Sequence, residues 1–123
     1  MTTFIVAGEP VPKARPRFTV AGGKPIAYTP TRTRDAELDV AQAFRIAARG
    51  VPPLTGRVSV EIDFHFSRNR GKGHDVDNLS KTVLDALNGL AYADDSQVVH
   101  LDAAIFDGSP ASHTTVRVQE DDS

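Results

Sequence analysis

The run HDVDNLSKTVLDALNGLAYADDSQVV, His74 to Val99, holds five aspartates and one lysine in a pattern otherwise typical of a packed helix running into a packed strand. Each acid has an ordinary use. Asp77 suits an N-cap, and Asp75 could serve similarly or favour the positive end of a helix dipole. Asp77, Lys81 and Asp85 recur at one-turn spacing, as on a salt-bridged helix face, and Asp94 with Asp95 suits a turn. As a group they suggest different chemistry. Asp75 and Asp77 alternate along an extended lead-in, which can aim both carboxylates the same way. If the strand after Asp95 lies beside the N-terminal end of the helix, the acids meet. Grouped carboxylates repel unless a cation sits among them. With no cysteine in the chain, an oxygen-rich site suits Mg²⁺ or Mn²⁺, hard cations that take few carboxylates and keep waters or phosphate oxygens.

The charge pattern points to the substrate. A net charge of −2 hides a segregation: Lys13, Arg15, Arg17, Lys24, Arg32 and Arg34 fall between Pro10 and Arg34 with no acid among them, and Arg68, Arg70 and Lys72 form a second cluster. Such clusters are either solvated loops or the footprint of a polyanion. Beside a hard-metal site they indicate phosphodiester chemistry, with Lys13, Arg15, Arg17, Arg68, Arg70 and Lys72 as phosphate contacts. Of the histidines, only His74 adjoins the acids, and imidazole is a lesser partner for Mg²⁺. His65, His100 and His113 read as sheet residues, and Glu61 and Asp63 as part of a wet strand face.

The elements that must place these groups are legible from periodicity. TTFIVAGE reads as a strand; Pro10, Pro12 and Pro16 then keep the basic segment extended, so that Lys13, Arg15 and Arg17 point to one side. AGGKPIAY reads as a turn and short strand. Apolar Ala36, Val40, Ala43, Phe44 and Ala47 predict a helix from about Thr33 to Arg49, stopped by Gly50 and the prolines that follow. RVSVEIDFHF alternates as a half-buried strand, and SRNRGKGHD reads as a flexible loop. A second helix spans about Asp77 to Asn88 with Gly89 as C-cap. QVVHLDAAIF and HTTVRV close the fold as strands, and the acidic tail Glu120, Asp121, Asp122 reads as a frayed end. At 123 residues the expectation is a single α+β domain, a mixed sheet of about four or five strands with two main helices. Neither a signal peptide nor a membrane span is visible, and the absence of cysteine fits a cytoplasmic protein.

The run DVDNLSKTVLDALNGLAYADDSQVV resembles the signature of the RusA family of Holliday junction resolvases: D-x-D-N, a lysine shortly after, a D-x-L-N-type helix end, then D-D-x-Q-V. The upstream PVPKARPRF is similar to that family's basic segment after the first strand, and the resemblance runs through the chain in order and length. It implies that Asp75, Asp77 and Asp95 are the metal-binding catalytic carboxylates and Lys81 the essential basic residue, with Asp94 in the same motif; Asn78, by its chemistry and place, either orients one of these carboxylates or simply starts the helix. It also implies a homodimer of bacterial or phage type that cuts four-way or branched DNA symmetrically with Mg²⁺, Mn²⁺ serving as substitute, in recombination or repair. Two rival readings remain beside this endodeoxyribonuclease: a DNA-binding protein in which the acids only cap and turn, and a metal-dependent phosphohydrolase of small nucleotides. The acids with Lys81 weigh against the first, and the long basic footprint against the second.

Overall fold

The computed structural model describes residues 1–15 and 17–121; the side chain of Arg17, and Asp122 of the acidic tail, lie outside the described residues. Six strands and two helices follow in the order β1 (Thr2–Ala7), β2 (Arg17–Ala21), β3 (Lys24–Tyr28), α1 (Thr31–Ala47), β4 (Val58–His65), α2 (Val76–Leu87), β5 (Val98–Phe106) and β6 (His113–Glu120). Four strands form one mixed sheet in the order β1-β6-β4-β5, and β2 and β3 form a separate two-stranded sheet. The expected α+β domain is observed.

Strand β4 organises the core because its alternation is complete. Val58, Val60, Ile62 and Phe64 are buried while the residues between them are not, as a period-2 pattern requires on a sheet covered on one side. Helix α2 buries Leu79, Val83, Ala86 and Leu87 against that face, and α1 buries Val40 and Phe44, whose ring meets Phe4 of β1 edge-on at 5.8 Å between centroids.

The connection from β4 through α2 to β5 decides where the acids lie. β4 and β5 pair in parallel, with Val58 opposite Val98 and His65 opposite Phe106. A helix linking parallel neighbours must run back along the sheet. The start of α2 therefore lies at the Phe106 end of β5, and the start of β5 lies at the far end of α2. β5 is an edge strand, open on the side away from β4.

Two local expectations change. Asp75, not Asp77, caps α2: its Oδ1 accepts the Asp77 N–H at 2.9 Å, and Asp77 sits in the first turn. The end of the chain is tied as far as Asp121, whose N–H donates to the Arg57 carbonyl and whose carboxylate accepts from the Ser59 hydroxyl.

Candidate active site

Asp75 and Asp77 stand exposed at the N-terminal end of α2, where the helix dipole and free N–H groups favour negative charge. One oxygen of Asp75 holds the Asp77 N–H, whereas the Asp77 carboxylate makes no hydrogen bond or ion pair among the described residues. Lys81, one turn along the same helix, is exposed and likewise forms no ion pair among them. Asn78 is half-buried, and its carbonyl accepts the Lys13 N–H at 2.9 Å, which ties the basic N-terminal segment to the first turn of α2.

The second acidic pair divides its labour. Asp94 caps a short 3-10 turn, Asp95–Gln97: its side chain accepts from the Ser96 N–H, and the Gln97 side-chain oxygen accepts from the Asp94 N–H. Hydrogen bonds from Ser96, first through its side chain and then its backbone, hold the Asp94 carboxyl below the usual carboxylate range. Gln97 also donates to the Leu54 and Gly56 carbonyls, which fastens the turn to the chain entering β4. Asp95 is exposed, and its carboxylate forms no hydrogen bond or ion pair among the described residues.

Asp95 does not meet Asp75 and Asp77 within one chain. It lies near Tyr92, whose hydroxyl donates to the Leu84 carbonyl in the last turn of α2. Burial first, then the charges of Asp95 and Asp85, push the Tyr92 hydroxyl up from its usual range. The twelve residues of α2 put about 18 Å between the two ends of the helix. Accordingly, no group of three or more His, Cys, Asp or Glu side chains among the described residues is arranged to hold a metal. The condition on which all the acids could meet, a following strand that starts beside the N-terminal end of the helix, is not satisfied in a single copy. Asp75 and Asp77 alone fit a hard cation that takes one or two carboxylates and keeps its waters.

The basic residues separate into two kinds. Lys13 is turned inward: its ammonium lies 2.6 Å from Glu37 and 2.9 Å from Asp85, joining α1 to α2. Desolvation works against its charge, but hydrogen bonds and attraction from both carboxylates outweigh it and raise its pKa. Its charge is thus balanced locally rather than offered to a phosphate. Arg15, Arg68, Arg70 and Lys72 are exposed; Arg70 reaches Glu9 at only 3.7 Å with most of its side chain in water, a pairing of little worth.

The loop carrying Arg68, Arg70 and Lys72 is pinned, contrary to its expected flexibility. The Gly71 N–H donates to Asp107 Oδ1 at 2.9 Å, and a side chain at Gly71 would meet Asp107, Ile105 and Phe66 within 3 Å. Gly108 donates to the Arg68 carbonyl and Ser67 to the Ser112 hydroxyl. His74 stacks on Phe66 at 4.9 Å, a packing role rather than one beside the acids. Asp107 and Ser112 hold this loop next to the start of α2, and no residue pattern in the sequence marks them for that role.

A family model described as endodeoxyribonuclease RusA matches residues 7–119, nearly the whole chain. An uncharacterized protein of Bacillus subtilis (strain 168), YqaN, is 34% identical over 124 residues, an alignment spanning 84% of this chain and 85% of that protein.

Proposed function

This chain belongs to the RusA endodeoxyribonuclease family, and from that premise we propose that it is a divalent-metal-dependent, structure-selective nuclease that resolves four-way DNA junctions by paired, symmetric cuts. The observation that carries the reading is local. Two exposed carboxylates, Asp75 and Asp77, stand at one helix end beside a pinned loop bearing Arg68, Arg70 and Lys72. Carboxylates at a helix end next to a cationic loop whose backbone is pinned are what a metal and a phosphate require together.

Asp75 and Asp77 would hold Mg²⁺, or Mn²⁺ in its place, through hard oxygen donors. A metal held there would supply an acidified water and polarise the scissile phosphate. Lys81 places an ammonium one turn from Asp77, where it offsets negative charge that develops on the phosphate during attack. Asn78 anchors the basic segment through its carbonyl, and the exposed arginines and Lys72 grip the backbone. Asp94 holds the turn that presents Asp95.

A homodimer gives Asp95 a route to the same chemistry. β5 is an open edge strand with Val99, Leu101 and Phe106 each more than two-fifths exposed, and such an edge invites pairing with another strand. Antiparallel pairing of two β5 strands sets the start of one beside the end of the other. That arrangement carries Asp95 of one copy toward the Asp75 and Asp77 end of its partner, and two-fold symmetry then supplies two sites for two strands.

The reading is tested with labelled four-way junction, linear duplex and mononucleotide, each incubated with Mg²⁺, Mn²⁺ or EDTA. Paired junction cuts that need metal, with duplex and nucleotide left intact, are expected. Binding without cutting in either metal would make the protein a DNA-binding module, and nucleotide hydrolysis would make it a small-molecule phosphohydrolase.

A further inference from the structure

The β2–β3 hairpin is the part of the molecule that the nuclease reading leaves without a task. Gly22 and Gly23 close it with φ of 60° and 78°, the left-handed values that a tight hairpin turn needs and that glycine adopts readily. Cross-strand partners share a face. Phe18 opposite Ala27 and Val20 opposite Pro25 make one face wholly apolar, while Thr19 with Ile26, Ala21 with Lys24, and Tyr28 lie on the other. None of these residues joins the core. Phe18 is 70% and Val20 74% exposed. A two-stranded ribbon with an apolar face in water is marginally stable by itself, so a partner surface is the natural complement of that face.

Charge and position identify the partner. Apart from Lys13, whose charge Glu37 and Asp85 balance, the stretch from Pro10 to Arg34, which contains the hairpin, has five cations and no acid, so the surface it fits is anionic as well as apolar. Its legs are rooted beside the carboxylates. Lys13 N–H bonds the Asn78 carbonyl, and the Ala14 N–H reaches the Thr33 hydroxyl at the start of α1. An anionic polymer with flat apolar faces is nucleic acid. Within a continuous duplex those faces are stacked and closed, whereas at a strand-exchange point base pairs lose a stacking neighbour and expose one.

We propose that the hairpin is a branch-point wedge: Phe18, backed by Val20, Pro25 and Ala27, lies against the base pair laid open at the strand exchange, while Lys24 at the tip meets a phosphate. Apolar side chains inserted at base steps, and aromatic rings stacked on bases, are established means of gripping distorted nucleic acid. The wedge rests on the nuclease reading and deepens it: Asp75 and Asp77 supply the cutting, and the hairpin selects where. It makes preference for branched over linear DNA a property of one exposed ring.

The test is binding of the full chain in EDTA to a four-way junction carrying 2-aminopurine at the exchange point, beside a linear duplex of equal length. The wild type should favour the junction and raise 2-aminopurine fluorescence by unstacking the base. Phe18→Ser should lose roughly tenfold to a hundredfold in junction affinity, the worth of a base–aromatic stack, and lose the fluorescence signal. Its duplex affinity, salt dependence and melting temperature should stay as they were, and Phe18→Trp should restore both readouts. A Phe18→Ser protein that keeps the junction preference and the signal overturns the wedge, as does a change from dimer to monomer in sedimentation, which would make a second copy the cover of this face. Metal-dependent junction cutting that survives either result leaves the nuclease reading standing. A wild type that neither binds nor cuts any DNA removes both.

Discussion

Mixing two inactive variants measures whether the catalytic carboxylates come from one chain or two. Asp77→Asn removes one charge at the start of α2, and Asp95→Asn removes one in the 3-10 turn beyond the other end of that helix. A Mg²⁺ ion bonds oxygen at about 2.1 Å, so carboxylates that share it stand within roughly 4–5 Å of one another. The length of α2, about 18 Å at 1.5 Å per residue, exceeds that several-fold, and no loop adjustment at Asp95 closes the difference while Gln97 fastens the turn to Leu54 and Gly56. With sites shared across a dimer, a heterodimer of the two variants has one site with both substitutions and one with neither. Random exchange makes about half the dimers mixed, so the mixture regains about a quarter of the wild-type sites. Because each mixed dimer has a single live site, a supercoiled plasmid bearing an extruded cruciform should be nicked to open circle rather than linearised. Each variant alone should bind the junction and leave it uncut. A mixture that stays inactive, although differently tagged subunits are shown to exchange, refutes the shared site. Full activity of Asp95→Asn alone removes Asp95 from the chemistry.

Lys13 and the pinned loop should separate in one experiment. Lys13→Met should cost about 1–2 kcal/mol in urea unfolding, because Glu37 and Asp85 are left facing each other; the slope of log affinity against log salt should not move. Arg68→Ala and Lys72→Ala should each lower that slope by about one unit for a lost phosphate contact with stability unchanged, and a Lys13 variant that alone changes the slope would reverse the assignment. Thr82 has a buried hydroxyl oxygen with no partner among the described residues. Thr82→Val keeps the shape and removes the unpaired group, so stability should rise by about 1 kcal/mol, read as a melting temperature a few degrees higher; a lower one counts against it. The Asp94 carboxyl is held below its ordinary value of 3.8, so its contribution to the 3-10 turn is present above that value and is lost as pH falls through the lower folded one. The Ser96 amide resonance should report a midpoint below 3.8 in the wild type and none in Asp94→Asn; a wild-type midpoint at or above the ordinary range would refute the cap.

Much of the architecture is written in local pattern. The apolar alternation of β4 and the 3.6-residue stripe of α2 each predict one element and its buried face, since both signals arise within a few neighbouring residues. The DxDN, lysine and DDxQV spacing marks the family without any fold. The sequence also contained the topological clue to the acids: a strand, a helix and a strand in succession favour a parallel crossover, whose helix must begin at one end of the sheet and whose second strand must begin at the other. That the crossover is parallel, however, is decided by β5 hydrogen-bonding to β4 while β6 takes the opposite edge of β4, a choice among long-range pairings that no local pattern encodes. The inward turn of Lys13 depends in the same way on Glu37 and Asp85 arriving from two helices, and the pinning of the cationic loop on Asp107 arriving from beyond β5. Residue types and their order determine which chemistry is available; tertiary pairing alone decides which groups share an end of the sheet, because the free energy that places them comes from contacts between segments far apart in the chain.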